Sequence, residues 1–345
     1  LHNSEHSFPT RRSSDLQPTS IPATPEPGTF GKWPAESSWP RLFAASLGGL
    51  AGRPYGPSAL AGLTVIVDPG HGGRDSGARY AEGGKPAIRE ADINLSVALF
   101  LAEELRFLGA SVILTRTSDS WVSLHARAAL TNRQVLLHHQ AALEASGRDP
   151  VRLQEVRRLL ALFDPVLSLN SDTYGSGGRG LMEGIGASAD LRTVLDIGRQ
   201  HEEIVFLSLH CNADDSPSLG GFQIYWSSNR SVYRDELAAF RDPDMKEKEP
   251  IHPAYQYYDD STRRRLAGSV YDAFLAAAPE LFPGVPNPIR SGNFAVLREC
   301  NVSAILVEMA YLTHADDRTL LQDPAFRRRL AQGLARGLHS HYCGG

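Results

Sequence analysis

Cysteines, long apolar runs and a strong net charge are all missing or scarce in this chain of 345 residues. The three cysteines (Cys211, Cys300 and Cys343) have scattered spacing, which fits neither a disulfide framework nor a paired-cysteine zinc site. No apolar run approaches the roughly 20 residues that span a bilayer, so we expect no transmembrane segment in this fragment. The net charge of −4, with both signs mixed, indicates no nucleic-acid partner. Since the chain has neither a phosphate-binding glycine loop nor a GxSxG elbow, nucleotide-dependent enzymes and serine hydrolases have no support.

The first sixty residues differ in composition from the rest of the chain. Residues 6–16 read HSFPTRRSSDL, which looks like the translation of a sequencing-library adapter, so we expect residues 1–16 to be an artefact; a polar tail is the alternative. On this hypothesis the gene is truncated upstream, a signal peptide has been lost with it, and its absence is uninformative. Residues 17–60 are rich in Pro, Ser, Gly and Ala, which predicts a linker.

Short apolar segments alternate with amphipathic ones over residues 61–345. Residues 63–67 are mostly β-branched and precede Asp68-Pro69-Gly70, which indicates a buried strand that ends in a turn. In residues 90–108 apolar positions recur every three or four residues, as on one helix face, and Gly109 closes that helix. Further strands are predicted at 111–115, 204–209, 221–226, 294–297 and 303–309, and helices behind Asp119 or Ser120, at 263–278 and after Asp323. This alternation predicts an α/β fold with a single twisted, mostly parallel sheet covered by helices on both faces.

One long segment interrupts the alternation of strands and helices. Residues 134–203 far exceed an ordinary connection. They contain helical patterns at 135–145 and 151–163, followed by a Gly/Ser-rich stretch at 171–180. We therefore expect a helical lobe, with a flexible loop, inserted into a catalytic domain that spans residues 61–345.

Four polar side chains stand where the predicted sheet would present them together. His71, His210 and Glu308 follow or end strands, and Glu90 opens a helix. Ligand sites of open α/β sheets gather at the carboxyl ends of the strands, and two histidines with one carboxylate make a zinc site that leaves a position for water. Each residue alone has a structural explanation, but a carboxylate after the apolar residues 304–307 is costly to bury without a partner. The combination therefore predicts a metal site, with Glu308 as the base.

The same residues carry a family resemblance. The segments VIVDPGHGGRDSGA, READINLSVALFLAEELRFLGASVILTR, FLSLHCNA and FAVLRECNVSAILVEMAYLTH, with the closing helix, are similar to those of the zinc-dependent type-3 N-acetylmuramoyl-L-alanine amidases. The resemblance covers residues 63–342 apart from the insertion. It implies that His71, Glu90 and His210 bind one zinc ion and that Glu308 is the catalytic carboxylate. It also implies peptidoglycan as substrate, a periplasmic or extracellular place in the cell envelope, and a role in cell-wall remodelling or cell separation.

Neighbouring residues have expected supporting roles. Asp68 could orient His71, although a turn cap explains it equally well, and Asn94 lies one helical turn beyond Glu90 and could support it. The glycines Gly70, Gly72 and Gly73 are expected to permit the tight turn that aims His71.

The expected substrate contacts are Arg74, Asn212 and Gly221. For Arg116 and Arg127 we favour structural ion pairs over contacts with substrate carboxylates.

Alternatives to the amidase remain at this point. A zinc peptidase that cuts within the stem peptide would use the same ligands, and a wall-binding relative without catalysis is a third hypothesis. Some amidases of this family are blocked until an activator protein binds, so residues 134–203 or 227–262 could restrict access; a passive elaboration is equally favoured.

Overall fold

The computed structural model describes residues 39–40, 47–81, 83–84, 86–147, 149–172, 189–241, 259–281 and 284–344. The predictions for residues 1–16 and for most of the Gly/Ser-rich loop lie outside these residues. Of the predicted linker, residues 47–60 are described without a gap, and Leu50 and Leu60 are buried in the core. The N–H of Leu60 donates to the carbonyl of Leu108 at 2.8 Å, so the folded domain extends upstream of residue 61.

Strands and helices alternate along the described chain, which confirms the α/β fold. The strands are β1 (Thr64–Pro69), β2 (Arg79–Tyr80), β3 (Ile88–Arg89), β4 (Ser111–Leu114), β5 (Ile204–Asn212), β6 (Gln223–Trp226), β7 (Ile289–Ser291) and β8 (Ser303–Tyr311). The helices are α1 (Glu90–Phe107), α2 (Leu124–Ser146), α3 (Pro150–Leu169), α4 (Ala189–Gly198), α5 (Asn229–Arg241), α6 (Asp260–Ala277), α7 (Ala295–Arg298), α8 (Ala315–Gln322) and α9 (Pro324–Cys343).

Six of the described strands form one mostly parallel sheet in the order β4-β1-β5-β8-β6-β7. The pairs β1–β4, β1–β5, β5–β8 and β6–β7 are parallel, and only the β6–β8 pair within this sheet is antiparallel. A separate antiparallel ribbon of β2 and β3, which the sequence did not predict, leads into α1.

Helices cover both faces of the sheet, as predicted. Val65 and Val67 of β1 belong to the apolar core shared with α1, α6 and α9, whereas Ile66 belongs to the core shared with α2, α3 and α4. Alternate residues of a strand point to opposite faces, so β1 is buried on both sides. No helix among the described residues is long and apolar enough to cross a bilayer.

Helix α2 begins later and continues further than the sequence suggested. Its N-cap is Ser123, whose Oγ accepts from the N–H of Ala126 at 3.0 Å, so the expected caps Asp119 and Ser120 were wrong. The helix continues without a break to Ser146, and the helical pattern at 135–145 is therefore its second half. Helix α3 packs back along α2 and ends at Leu169, and its C-cap Asn170 has a left-handed φ of 44°.

The prediction of a strand at 294–297 was wrong, because these residues form the short helix α7 and its N-cap. A run of four apolar residues has too little periodicity to separate helix from strand. The buried guanidinium of Arg263 donates to the carbonyls of Leu297, Cys300 and Val302, which satisfies the end of this helix and the chain that follows.

Candidate functional site

The sheet brings the four predicted residues to one edge. His71 follows β1, His210 lies near the end of β5, and Glu308 lies in β8. The parallel register pairs Pro69 with Leu209 and His210 with Glu308, so these strands present their carboxyl ends side by side. Glu90, the first residue of α1, completes the group.

Three of these residues form a metal-binding type of group. Oε1 of Glu90 lies 3.1 Å from Nε2 of His71 and 3.0 Å from Nδ1 of His210. The two imidazole rings are edge-on, with centroids 4.9 Å apart, and the three ligand atoms lie within 4.8 Å of one another. Two imidazole nitrogens and one carboxylate oxygen at such spacing can converge on a single cation.

The buried carboxylate of Glu90 is held by three donors of the chain. Its Oε2 accepts the N–H of Ala78 at 2.8 Å, and its Oε1 accepts the N–H of Cys211 at 3.1 Å and Nδ2 of Asn94 at 3.2 Å. Asn94 therefore supports Glu90 as predicted. Burial alone would raise the pKa of Glu90, but the two imidazoles outweigh it and hold that pKa well below its ordinary value.

His71 is oriented by Asp75, which the sequence reasoning missed. Oδ2 of Asp75 lies 2.8 Å from Nδ1 of His71, and His71 itself has a left-handed φ of 62°. Burial lowers the pKa of His71, but the carboxylates of Glu90 and Asp75 raise it further, to about 10. Ligating histidines usually carry such a carboxylate on the other ring nitrogen, and this rule makes both Asp68 and Asp75 candidates in the sequence.

Asp68 does not contact His71 directly, contrary to the expectation. It accepts from Oγ1 of Thr115 at 2.6 Å and Oγ of Ser208 at 2.8 Å, and it pairs with Arg127, with both charged groups buried. Nη2 of Arg127 in turn donates to the carbonyl of His71 at 2.9 Å. Asp68 thus acts on the His71 loop through Arg127, which confirms the structural ion pair expected for Arg127.

Two glycines leave the space that the imidazoles and Glu90 occupy. A Cβ on Gly70 would lie 2.2 Å from Cε1 of His210, and one on Gly77 would lie 2.4 Å from Oε2 of Glu90. For Gly70 the requirement is therefore clearance for a side chain rather than the turn that was expected. Gly72 has a φ of 128°, which keeps for it the backbone role that was predicted.

Glu308 is partly exposed, but one of its oxygens is buried without a partner. Oε2 has no hydrogen-bond partner among the described residues. Burial and the nearby charge of Glu90 raise the pKa of Glu308 to about 8, against a smaller opposing effect of His71. A carboxyl group with a pKa in this range can both accept and return a proton near neutral pH.

The expected substrate contacts differ in their surroundings. The exposed guanidinium of Arg74 stacks 3.7 Å from the ring centre of Trp121, and Nδ2 of Asn212 donates to Oε1 of Gln223 at 2.9 Å. Gly221 is buried, has a φ of 97° and donates its N–H to Oδ2 of Asp317 at 2.8 Å. Gly221 packs closely against Gly284, since a Cβ on Gly221 would lie 2.4 Å from Cα of Gly284.

Arg116 proved structural but forms no ion pair among the described residues. Its guanidinium donates to the backbone carbonyls of Pro69, Gly70, Ala91 and Ser118 at 2.8–3.0 Å. These bonds tie the end of β1 to α1.

Comparison with known proteins identifies the family. The model of the N-acetylmuramoyl-L-alanine amidase family Amidase_3 matches residues 65–144 and 168–340. The chain belongs to this family. The unmatched residues 145–167 include most of α3.

The individual relatives have low sequence identity to this chain. The chain is 23% identical over 322 residues to the Staphylococcus aureus protein named "Probable cell wall amidase LytH", covering 91% of this chain and 73% of that one. The N-acetylmuramoyl-L-alanine amidase from Clostridium difficile 630 is 21% identical, covers 81% of this chain and 95% of its own, and has a TM-score of 0.46. Ami1 from Mycobacterium smegmatis is 15% identical, covers 82% of this chain and 98% of its own, and has a TM-score of 0.46.

Membership of the family settles the class of reaction. The amidase is an enzyme of the cell wall that hydrolyses peptidoglycan at the bond between N-acetylmuramic acid and L-alanine. Its place is the cell envelope. This selects the amidase over a peptidase that cuts within the stem peptide.

Proposed function

We propose that this amidase uses a single zinc ion held by His71, Glu90 and His210, and that Glu308 is its catalytic carboxylate. The observation that carries the proposal is that Glu90 Oε1 lies 3.1 Å from His71 Nε2 and 3.0 Å from His210 Nδ1, in a group whose ligand atoms all lie within 4.8 Å of one another. Neutral imidazole nitrogens and a carboxylate oxygen are ligands that zinc prefers, and catalytic zinc sites use three protein ligands. Asp75 fits this set, because it binds the nitrogen of His71 that faces away from Glu90.

The chemistry divides between the ion and the chain. When bound, zinc supplies an activated water near neutral pH and polarises the amide carbonyl. Glu308 accepts the proton of the attacking water, because its partnerless oxygen is at the same sheet edge as the three ligands. It then returns that proton to the departing amine of L-alanine, which is a poor leaving group until it is protonated.

The test separates zinc binding from catalysis. In Glu308→Gln we expect turnover to fall by at least about 10²-fold, the usual contribution of general acid–base catalysis, while the zinc held by His71, Glu90 and His210 is retained. Glu103→Gln, an exposed carboxylate on α1, serves as the control with full activity. Mass spectrometry of digested sacculi should show new L-alanine amino termini and intact glycan strands. Near-normal turnover of Glu308→Gln would refute the role of Glu308, and cuts within the stem peptide would indicate a peptidase.

We also propose that α3 restrains the site until an activator protein binds. Asn170, at the end of α3, accepts the N–H of Ser123 at 2.8 Å and donates to the carbonyl of Trp121 at 2.9 Å. Trp121 stacks with Arg74, three residues beyond His71. The outer side of α3 also exposes Val151 and Leu169, which suits a protein contact.

The test for α3 needs a narrower deletion than residues 134–203, because that range also contains half of α2 and all of α4. We expect replacement of residues 150–169 by a short Gly/Ser linker to raise activity on sacculi while Glu103→Gln stays unchanged. Unchanged activity of the deletion variant would mean that α3 is a passive elaboration. Of the other candidate, residues 227–262, the central part at 242–258 lies outside the described residues.

The cell compartment follows from the substrate. We propose a periplasmic or extracellular location, since peptidoglycan lies outside the cytoplasmic membrane. Fractionation of cells that produce the full-length protein tests this, and recovery from the cytoplasm alone would contradict it.

A further inference from the structure

A second cluster of histidines and a carboxylate lies at the opposite edge of the sheet. His138 is in α2, and His201 and Glu203 directly precede β5. The carbonyl of Glu203 accepts the N–H of Thr64, the first residue of β1, at 2.8 Å. The cluster therefore lies at the amino ends of β1 and β5, whereas the His71–Glu90–His210 group lies at their carboxyl ends.

The three side chains of this cluster converge. Oε1 of Glu203 lies 2.6 Å from Nδ1 of His201 and 3.5 Å from Nδ1 of His138, and one ligand atom from each lies within 4.8 Å of the others. His201 is buried. The second oxygen of Glu203, Oε2, is buried and has no hydrogen-bond partner among the described residues. A buried carboxylate oxygen without a partner is costly, and a cation would satisfy it.

Both histidines have a partner on the ring nitrogen that a metal would leave unused. Nε2 of His138 lies 3.5 Å from Oγ1 of Thr64, and Nε2 of His201 lies 3.1 Å from Nδ1 of His139. Such partners fix the orientation of ligating imidazoles. The donor set of two imidazoles and one carboxylate suits zinc and similar divalent ions.

The hydrogen bond from the Trp39 indole determines which ring nitrogens of His139 and His201 carry protons. The indole Nε1–H donates to Nε2 of His139 at 3.1 Å, and an indole can only donate. In neutral His139 the proton is therefore on Nδ1, which donates to Nε2 of His201. The proton of neutral His201 is then on Nδ1, where it is donated to Glu203. While the Trp39 indole donates to His139, the proton of His201 therefore lies on Nδ1, the nitrogen that a metal would bind.

We propose that His138, His201 and Glu203 form a second divalent-metal site, and that metal binding there and the hydrogen bond from Trp39 to His139 exclude each other. An ion on Nδ1 of His201 moves the proton of that ring to Nε2, which donates to His139. The remaining proton of His139 is then on Nε2, where it faces the indole N–H, and two donors repel each other. Loss of this bond weakens the attachment of residues 39–40 to the domain. Two other hydrogen bonds hold them: the backbone N–H of Trp39 donates to Oδ2 of Asp196 at 2.8 Å, and Nε2 of Gln200 donates to the carbonyl of Pro40 at 3.2 Å.

The site itself is tested by zinc stoichiometry on the full chain. Equilibrium dialysis with zinc alone should give two ions per chain in the unmodified protein and one in Glu203→Gln and in His138→Gln. His339→Gln, which removes an imidazole whose Nε2 lies 2.9 Å from the carbonyl of Arg53, serves as the matched control and should keep two. Activity on sacculi should persist in Glu203→Gln, which separates this site from the catalytic one. One ion per chain in the unmodified protein, lost on substitution at His71, would overturn the proposal.

The competition between metal binding and the Trp39–His139 hydrogen bond is tested with Trp39→Phe, which keeps an aromatic ring but removes the N–H. Since one hydrogen bond no longer opposes the ion, zinc should bind the second site about three- to tenfold more tightly in this variant. Zinc should also change tryptophan emission in the unmodified chain, and the part due to Trp39 should vanish in Trp39→Phe. Equal zinc affinity of the two proteins would overturn the exclusion.

Discussion

Oδ2 of Asp75 lies 2.8 Å from Nδ1 of His71, while the opposite nitrogen of the same ring, Nε2, lies 3.1 Å from Glu90. The carboxylate of Asp75 therefore keeps a proton on Nδ1 and leaves Nε2 as the nitrogen that can bind a metal. It also increases the basicity of the ring, which strengthens its bond to a cation. This contact and others around the site lead to four predictions, two about zinc affinity and two about stability.

Asp75→Asn should weaken zinc binding about 10–100-fold, because the amide no longer stabilises the Nδ1–H tautomer as a carboxylate does. Asp92→Asn removes an exposed carboxylate in the first turn of α1 and should leave the affinity unchanged. Competition with a chromogenic chelator measures both. Equal affinities of the two variants would show that Asp75 only stabilises the loop.

Gly70→Ala should lower zinc affinity without unfolding the protein. Gly70 has no left-handed φ, so alanine fits its backbone, but the new Cβ would lie 2.2–2.7 Å from three atoms of the His210 ring. The ring must shift, which disturbs its 3.0 Å contact with Glu90. Gly268→Ala, in α6 with open space around the added Cβ, is the matched control. Circular dichroism checks the fold, and a Gly70→Ala protein with unchanged zinc affinity would contradict the prediction.

Glu308→Gln should stabilise the metal-free protein at alkaline pH. Because the pKa of Glu308 is raised to about 8, the folded chain keeps a proton that the unfolded chain loses at about pH 4.3. Between these values the unfolded state binds fewer protons, so stability falls as pH rises.

The glutamine variant lacks this titration. In a chelating buffer at pH 8 it should be more stable than the unmodified protein by about 1–3 kcal/mol, and the difference should shrink at pH 5. Urea unfolding at both pH values measures it, with Glu103→Gln as the control. A difference that does not depend on pH would contradict the raised pKa.

Asp68→Asn should destabilise the protein by about 3–5 kcal/mol, since it leaves the buried guanidinium of Arg127 without its charge partner. The loss should also loosen the His71 loop, because Arg127 holds the carbonyl of His71. Adding Arg127→Met removes the second charge and should recover part of the stability. If the double variant is less stable than Asp68→Asn, the pair contributes through packing instead.

Much of the sheet and of the ligand group could be predicted from the sequence. The apolar runs before Asp68, His210 and Glu308 mark parallel strands, and parallel strands present their carboxyl ends together. Asn94 was found because residues four apart share a helix face. These inferences need only local periodicity and one rule of topology.

The contacts that were missed depend on tertiary packing. Asp68, in β1, and Asp75, in the loop that follows, both lie within four residues of His71, and their spacing in the sequence does not show which one reaches the ring. The buried position of Gly221 against Gly284 joins residues that are far apart in the chain. The helix at residues 295–298 is followed by carbonyls that bind Arg263, a residue of α6 that is distant in the sequence.

The pairing of His210 with Glu308 on adjacent strands has a consequence for folding. A slip of β5 by one residue would turn His210 to the opposite face of the sheet and bring Cys211 to the metal group in its place. If the site binds the ion proposed above, tight binding requires β5 and β8 to be correctly paired, and the bound ion then stabilises that pairing.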